Sequence, residues 1–428
     1  MKSYIDELDR NIFNFVEYEG YDDRYPSLSM QAFSSDFYDE IRHASRRLFQ
    51  IFCKAAKVFQ MAPDDFARNM DMPDNLIPYL HKSNALGLPT WLSRFDFVLD
   101  VNGNLRMVEL SSQSYYANEV AANYVGRKHP NIECRNELHT FLKRMYDAVL
   151  SAKYGRNQYE SMRANRESLP KNPFVFSCFH DYFEDYGTTQ FLMKELKTAC
   201  PEADTRFISF YDMKIDDEGI PLEDGSHATL LYRLHPMELL IDEQTPDGEP
   251  LGEMFLDLYE DDTFALFNPP ESIILQNKSF MSLVYALYLT DQFYTKPDRD
   301  IIERYLAPSY FENDFSALDD GLYIQKEIWG REGRHVQVVQ KRGDTSELYM
   351  EKLVDNYDDI VCRDSKKVMY QDFIQQKRFT HTVDCGVKDG FLTLSCFMLG
   401  DQASAVGCRF SPEEIAGTEA YFVPLLIE

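Results

Sequence analysis

The chain has 428 residues, 44 Lys and Arg against 71 Asp and Glu, a formal net charge of −27, and 44% apolar residues. That length and composition suit a composite fold of two or three lobes around a sizeable core. The charge argues against nucleic-acid binding, where phosphates need a basic face, and no run of about 18 apolar residues offers a membrane span.

The opening stretch MKSYIDELDRN has no apolar signal region, and none of the eight cysteines forms a C-x-x-C pair. A reducing, cytoplasmic setting is the expectation. Residues 34–61 carry Ile41, Leu48, Ile51, Phe52 and Val58 at helical spacing, with Ser34 or Ser35 as the cap. Residues 95–101 and 104–110 alternate as two strands around Asn102-Gly103, a strong hairpin signal. Residues 132–153 read as a helix.

A second rhythm starts at residue 174: FVFSCF as a strand, TTQFLMKELKTAC as a helix, TRFISF and ATLLYRL as strands, HPMELLID as a short helix. Strands alternating with helices predict a partly parallel sheet. ESIILQ at 271–276 reads as a short buried strand and SFMSLVYALYL as a helix. The last third holds seven strand candidates, LYIQKEI, HVQVVQK, ELYMEKLV, KVMYQDFI, FTHTVDCGV, FLTLSCFML and ASAVGCRF, which predict an antiparallel β-rich lobe. No Pro/Gly/Ser linker separates the parts, so interlocked lobes are expected.

A turn at 102–103 sets Leu99 near Leu105 or Arg106 and brings Asp96 to face the Glu109 region. Opposite residues of one face stand about 5 Å apart, so two carboxylates there need a cation between them. Arg94 is one candidate; a hard divalent metal, which takes oxygen ligands, is another. The alternative is a surface hairpin with an Arg-Asp-Glu cluster. Further on, Lys326 lies on a strand ahead of Gly330-Arg331-Glu332-Gly333. Glycine-bearing loops can lay backbone N–H groups over phosphates, with Lys326 and Arg331 adding charge; the alternative is an ordinary hairpin turn. Lys278 stands at the end of the 271–276 strand, Gln371 and Asp372 lie in VMYQDFI, and Arg409 is on or just after a late strand. The nine histidines include no H-x-x-x-H pair, which disfavours a zinc hydrolase.

The order of these pieces, R-x-D…E, then N-K, then K-x-x-x-G-R-E-G, then Y-Q-D, then G-x-R, resembles the glutathionylspermidine synthase family of ATP-grasp ligases, most closely at 91–119, 268–288, 321–339, 367–374 and 402–427. The resemblance implies a mixed α+β and α/β chain with an ATP-grasp-like fold. It divides into an N-terminal part with the metal-binding hairpin (about 1–170), an α/β substrate lobe (171–265) and a nucleotide-binding part (266–428). The family's amidase domain has no counterpart ahead of the hairpin.

The same resemblance implies roles. Asp96, Glu109 and Ser111 match the magnesium ligands, Ser111 standing where the family has asparagine. Lys278, Lys326, Gly330, Gly333, Gln371 and Asp372 match ATP-binding positions. Arg94, Arg331 and Arg409 match arginines near the acid substrate and the transferred phosphate. Ser114, Tyr116, Glu184, Asp185 and Thr188 fall where the family handles its peptide acid. The implied function is ATP- and Mg²⁺-dependent joining of an acid, such as glutathione, to an amine. The −27 charge allows that amine to be a polycation drawn by an acidic cleft. The rival reading is a nucleotide-binding regulatory or partner-binding protein with degraded catalysis, and Ser111 is what favours it.

Overall fold

The structure is a computed structural model describing residues 4–13, 16, 24–82, 84–112, 137–165, 171–245, 247–352 and 362–428. Ser114, Tyr116 and the first five residues of the 132–153 helix lie outside the described residues.

Strands follow chain order as β1 (Gln31–Phe33), β2 (Leu92–Leu99), β3 (Leu105–Ser111), β4 (Pro173–Ser177), β5 (Asp204–Phe207) and β6 (Leu230–Arg233). Next come β7 (Ala265–Phe267), β8 (Ser309–Phe311), β9 (Gly321–Glu327), β10 (Gln337–Arg342), β11 (Thr345–Glu351) and β12 (Val368–Asp372). The last are β13 (Phe379–Val383), β14 (Gly386–Leu399), β15 (Gln402–Ser411), β16 (Tyr421–Phe422) and β17 (Leu425–Ile427). They make a four-stranded parallel sheet β5-β4-β6-β7, a five-stranded antiparallel sheet β11-β10-β9-β12-β8, and an antiparallel sheet β16-β15-β14-β2-β3 with β13 on β14; a short parallel pair, β1-β17, ties the two ends.

The predicted β-rich C-terminal lobe is thus two sheets. One of them includes the hairpin, because β2 pairs with β14, Asp96 opposite Ser395. Residues about 300 positions apart share one sheet, which interlocks the ends of the chain. Its apolar face carries the buried side chains Phe95, Phe97, Leu394, Cys396, Cys408 and Phe410. Helix Ser35–Met61 covers it, the Phe52 and Phe95 rings meeting edge-on at 5.6 Å. Ser34 is its cap and accepts from the Phe37 N–H. A fully buried Phe contributes roughly 1.5–3 kcal/mol relative to exposure. A one-residue slip would send that whole row to the other face, so the register is strongly specified.

Three local expectations need correction. Residues 272–276 form a short helix, Ser272–Gln276, rather than a strand; a fully apolar run of this length has no periodicity to separate the two. Lys278 therefore follows a helix and sits at the N-cap of helix Ser279–Leu289. The hairpin turn is longer than two residues: Asp100 N–H bonds the Asn104 carbonyl, Asp100 Oδ1 accepts from the Asn102 and Asn104 N–H groups, and Gly103 takes φ 83°. A side chain there would be strained, which is why glycine occupies it. Among the described residues no helix is long and apolar enough to cross a membrane.

Candidate functional site

Arg94 and Asp96 alternate with Phe95 and Phe97 along β2, so the polar pair shares the face opposite the core. Leu99 pairs with Leu105, which on straight counting would set Asp96 against Val108. The register shifts between Asp96 and Phe97, and Asp96 pairs with Glu109 instead. This β-bulge puts Val108 and Glu109 in succession on the half-buried side of β3. Ser111 stands opposite Arg94.

Both Asp96 oxygens are held. Arg94 Nε and Nη2 donate to Oδ1 and Oδ2 at 2.8 and 2.7 Å, a two-point pairing within one strand. Ser395 Oγ, across on β14, donates to Oδ1 at 2.7 Å, and an Arg409 guanidinium nitrogen lies 3.6 Å from Oδ2. Glu109 pairs with Lys278 at 2.9 Å. Lys278 also donates to the Gly330 carbonyl at 2.7 Å, tying the loop after β9 to the hairpin. Lys326 donates to the Val108 carbonyl, inside the bulge, at 3.2 Å and to Gln371 Oε1 at 2.9 Å.

Asp96 and Glu109 thus meet four cations, Arg94, Lys278, Lys326 and Arg409, in a cleft between the two antiparallel sheets. Burial would push the Glu109 carboxyl up, but Lys278 and Lys326, with Arg94 behind them, overrule it and hold the group at about 2. Burial pulls the Lys326 ammonium down to about 8, Glu109 opposing and Lys278 reinforcing. Two carboxylates among these four cations leave positive charge locally, although the whole lining balances five acids against five bases; an anionic group is favoured at the Lys278–Lys326 end.

A divalent metal also fits this donor set, though not as an all-protein cage. Among the described residues no group of three or more His, Cys, Asp or Glu is placed to hold one. Magnesium is commonly held by one or two carboxylates, with substrate phosphates and water completing its shell. Asp96 and Glu109 would supply the carboxylates, and the Ser111 and Ser395 hydroxyls lie on the neighbouring positions of the sheet.

The loop after β9 turns sharply. Glu332 and Gly333 have φ 50° and 76°, and a Cβ on Gly333 would come within 3.0 Å of the Ala416 carbonyl oxygen. Arg331, in the cleft lining, pairs with the buried Glu238, on the short helix Met237–Leu240, at 2.6 Å. That bridge docks the loop on the parallel-sheet lobe. Glu238→Gln is expected to speed tryptic cleavage after Arg331 by about tenfold, the worth of one charge-assisted contact, scored by mass spectrometry of timed digests.

Gln371 is buried and acts on Lys326, its amide nitrogen donating to Ser309 Oγ at 3.0 Å. Asp372 does not line the cleft. It borders a separate depression with Arg106, Tyr285 and Tyr288. Glu184 and Asp185 open helix Phe183–Ala199. Desolvation raises both carboxyls, to about 8 and about 7; Asp185 and Glu332 add to the first shift and Glu332 to the second, while Arg409 and Arg94 oppose the first and Arg331 the second. The helix start is therefore within electrostatic reach of the cleft, but neither carboxyl lines it, and Glu184 is exposed. Thr188, a turn further on, is buried.

Three residues that matter to this geometry escaped the sequence reading: Ser395, Glu238 and Asn268. A serine within FLTLSCFML was the one available signal. Glu238 and Asn268 have no local pattern that marks them.

Fold and cleft together define a mixed α/β protein that gathers cations around a carboxylate pair between two sheets. The model of the glutathionylspermidine synthase preATP-grasp family matches residues 5–428. The chain belongs to that family. Among solved structures it is similar to a glutathione synthetase-like effector from Globodera pallida, solved in its apo form, at 11% identity and a TM-score of 0.56, with 94% of this chain and 90% of that one covered. That likeness concerns the fold. A comparison with curated protein sequences returned no match.

Proposed function

We propose that the protein is an ATP-grasp carbon–nitrogen ligase that joins a peptide-like acid, such as glutathione, to an amine, such as a polyamine, with release of ADP and phosphate. The observation that carries this reading is the convergence of Lys278, Lys326 and Arg409, from segments far apart in the chain, on the Asp96–Glu109 pair that Arg94 already flanks. In this reading residues 266–428 hold the nucleotide, 171–265 face the substrates, and the hairpin of the first part carries the metal.

A carboxylate is a poor electrophile. One of its oxygens takes the γ-phosphoryl group, ADP leaves, and the amine nitrogen attacks the acyl carbon of the acyl phosphate. Phosphate leaves, the amine loses a proton, and an amide results. The transferred group spreads charge over three oxygens, so fixed cations carry much of the catalysis. Lys278 and Lys326 bind phosphate oxygens, and Gln371 orients Lys326. Arg94, aimed by Asp96, and Arg409 face the acid's carboxylate. Gly330 and Gly333 let the loop close over the phosphates, and the Arg331–Glu238 bridge keeps water off the acyl phosphate. A magnesium ion held by Asp96 and Glu109, with Ser111 beside them, would offset charge on the ATP oxygens.

The acid–amine reading is tested by ADP release from purified protein with ATP, Mg²⁺, glutathione and spermidine, against controls lacking either substrate. Nucleotide binding without substrate-dependent ADP release, across a panel of acid–amine pairs, would favour the rival regulatory reading.

The titrating groups set a pH profile. Lys326 binds phosphate as the ammonium, so ATP affinity is expected to fall as pH rises through about 8. kcat/KM for ATP is therefore expected to decline above about pH 8. The check is kcat/KM for ATP between pH 6 and pH 10, values roughly two units either side of that midpoint.

A further inference from the structure

The parallel sheet β5-β4-β6-β7 reverses its order at β4: the chain runs from β4 out to β5 and returns to β6 on the other side. In open parallel sheets a ligand crevice lies beyond the carboxyl ends of the strands at such a point. Here Phe179, just after β4, and His235, just after β6, meet edge to face with ring centroids 5.1 Å apart. Phe179 is the hub of a wider ring cluster. Tyr211 and Phe210, from the loop after β5, stand 4.9 and 5.4 Å from it, and Tyr182 stands 6.2 Å from it.

The outer rings are open to solvent. Tyr182, Tyr211 and the adjoining Phe183 are 52, 57 and 68% exposed. Large exposed rings gathered in one patch mark a binding surface, and rings that hold one another in place lose little freedom when a ligand arrives. The two loops that carry them, 178–185 and 208–213, also hold Asp181, Glu184, Asp185 and Asp212 and contain no Lys or Arg. Tyr211 Oη donates to Asp181 Oδ2 at 2.9 Å, which sets a carboxylate beside the ring. Aromatic faces bordered by carboxylates favour a cation. The same charge repels a second copy of this patch, and any nucleic acid.

We propose that this aromatic shelf takes a guanidinium group, the far end of the amine substrate. A guanidinium is planar and weakly hydrated, so it stacks on exposed rings while pairing with a carboxylate. An ammonium is compact and strongly hydrated, and keeps its water at so open a site. The source is the amine substrate because the shelf continues into the reach of the catalytic cleft: Glu184, next to Phe183, feels Arg94 and Arg409, and Asp185 feels Arg331. That choice of source rests on the ligase reading; the shelf as a guanidinium site does not.

Butylguanidine has the planar cation but no amine to react, so it tests the shelf without turnover, by ligand-observed NMR titration. It is expected to saturate, and to bind more tightly than butylamine and than the neutral isostere butylurea. The double variant Phe183→Ala, Tyr211→Ala, at two exposed side chains, is expected to weaken it by about 5–30-fold, the worth of two cation–π contacts. Asp181→Asn, which keeps every ring, is expected to weaken it by about 2–5-fold, the worth of one exposed ion pair. In the ADP-release assay agmatine, the same arm with a primary amine, is expected to exceed putrescine, its ammonium counterpart, in kcat/KM, and to lose that lead in the double variant. The shelf is overturned if butylguanidine does not saturate below about 50 mM. It is also overturned if butylamine or butylurea binds as tightly, or if both variants bind like the parent. The amine source is overturned if putrescine is used as well as agmatine. Absence of ADP release with every acid–amine pair overturns the ligase reading and the source with it, while the titrations still decide the shelf.

Discussion

Asp96→Asn is expected to lower ATP turnover by about 10²–10³-fold, the usual cost of removing one preorganised charge contact. The carboxylate has two jobs. In the proposed reading it would offer oxygen to a metal, and it fixes Arg94 through two hydrogen bonds of 2.8 and 2.7 Å. Asparagine keeps the shape and one acceptor but lacks the charge, so Arg94 loses its two-point partner. Alanine is the harsher change. With Asp96 only 2% exposed and Arg94 only 7%, it removes the two-point partner of a buried cation, at a cost of about 3–5 kcal/mol. Steady-state ADP release, beside the Tm of each variant, separates the chemical effect from the structural one. Turnover of Asp96→Asn at the parent rate would remove Asp96 from the site.

Asn268→Ala is expected to destabilise the fold by about 2–6 kcal/mol. Asn268 is buried, and its Oδ1 accepts from the Trp91 and Leu92 N–H groups at 2.9 and 2.8 Å, while its Nδ2 donates to the Leu92 and Ser112 carbonyls, both at 2.8 Å. One side chain thus pins the start of β2 and the end of β3. The two carbonyls share one reserve donor, the single Thr90 O–H, which lies 2.8 and 2.7 Å from them and can serve one at a time. The two N–H groups have no such reserve, and each buried orphan costs roughly 1–3 kcal/mol. Stability of a domain is about 5–15 kcal/mol, so the loss is a large fraction of it. Urea unfolding of the parent and variant measures it, and an unchanged midpoint would show that the strand ends are held by other contacts. Since β2 carries Arg94 and Asp96, the same substitution should also slow turnover in the fraction that folds.

The sequence by itself determined the local pieces. Asn102-Gly103 marked the hairpin because a tight reversal needs positive φ. The alternation of Phe95 and Phe97 with Arg94 and Asp96 already separated a core face from a polar one. Ser34 or Ser35 announced the helix to Met61 as a capping oxygen, and the structure uses Ser34. The sequence also carried the family, through short motifs in a fixed order. Residues 271–276 were beyond it, since an apolar run that short satisfies helix and strand alike. The facing of Asp96 and Glu109 came about differently from the simple count: it needs a bulge at Val108 that no local signal announces, and Lys326, from another sheet, bonds that bulge's carbonyl. Only the tertiary structure brought Lys278 to Glu109, Ser395 to Asp96 and Arg331 to Glu238. Each of these contacts joins segments 93 to 299 residues apart. Periodicity encodes which face a residue occupies, through burial of its neighbours. Which distant segment meets that face is decided by the packing of whole sheets and helices, and by the need of every buried charge for a partner.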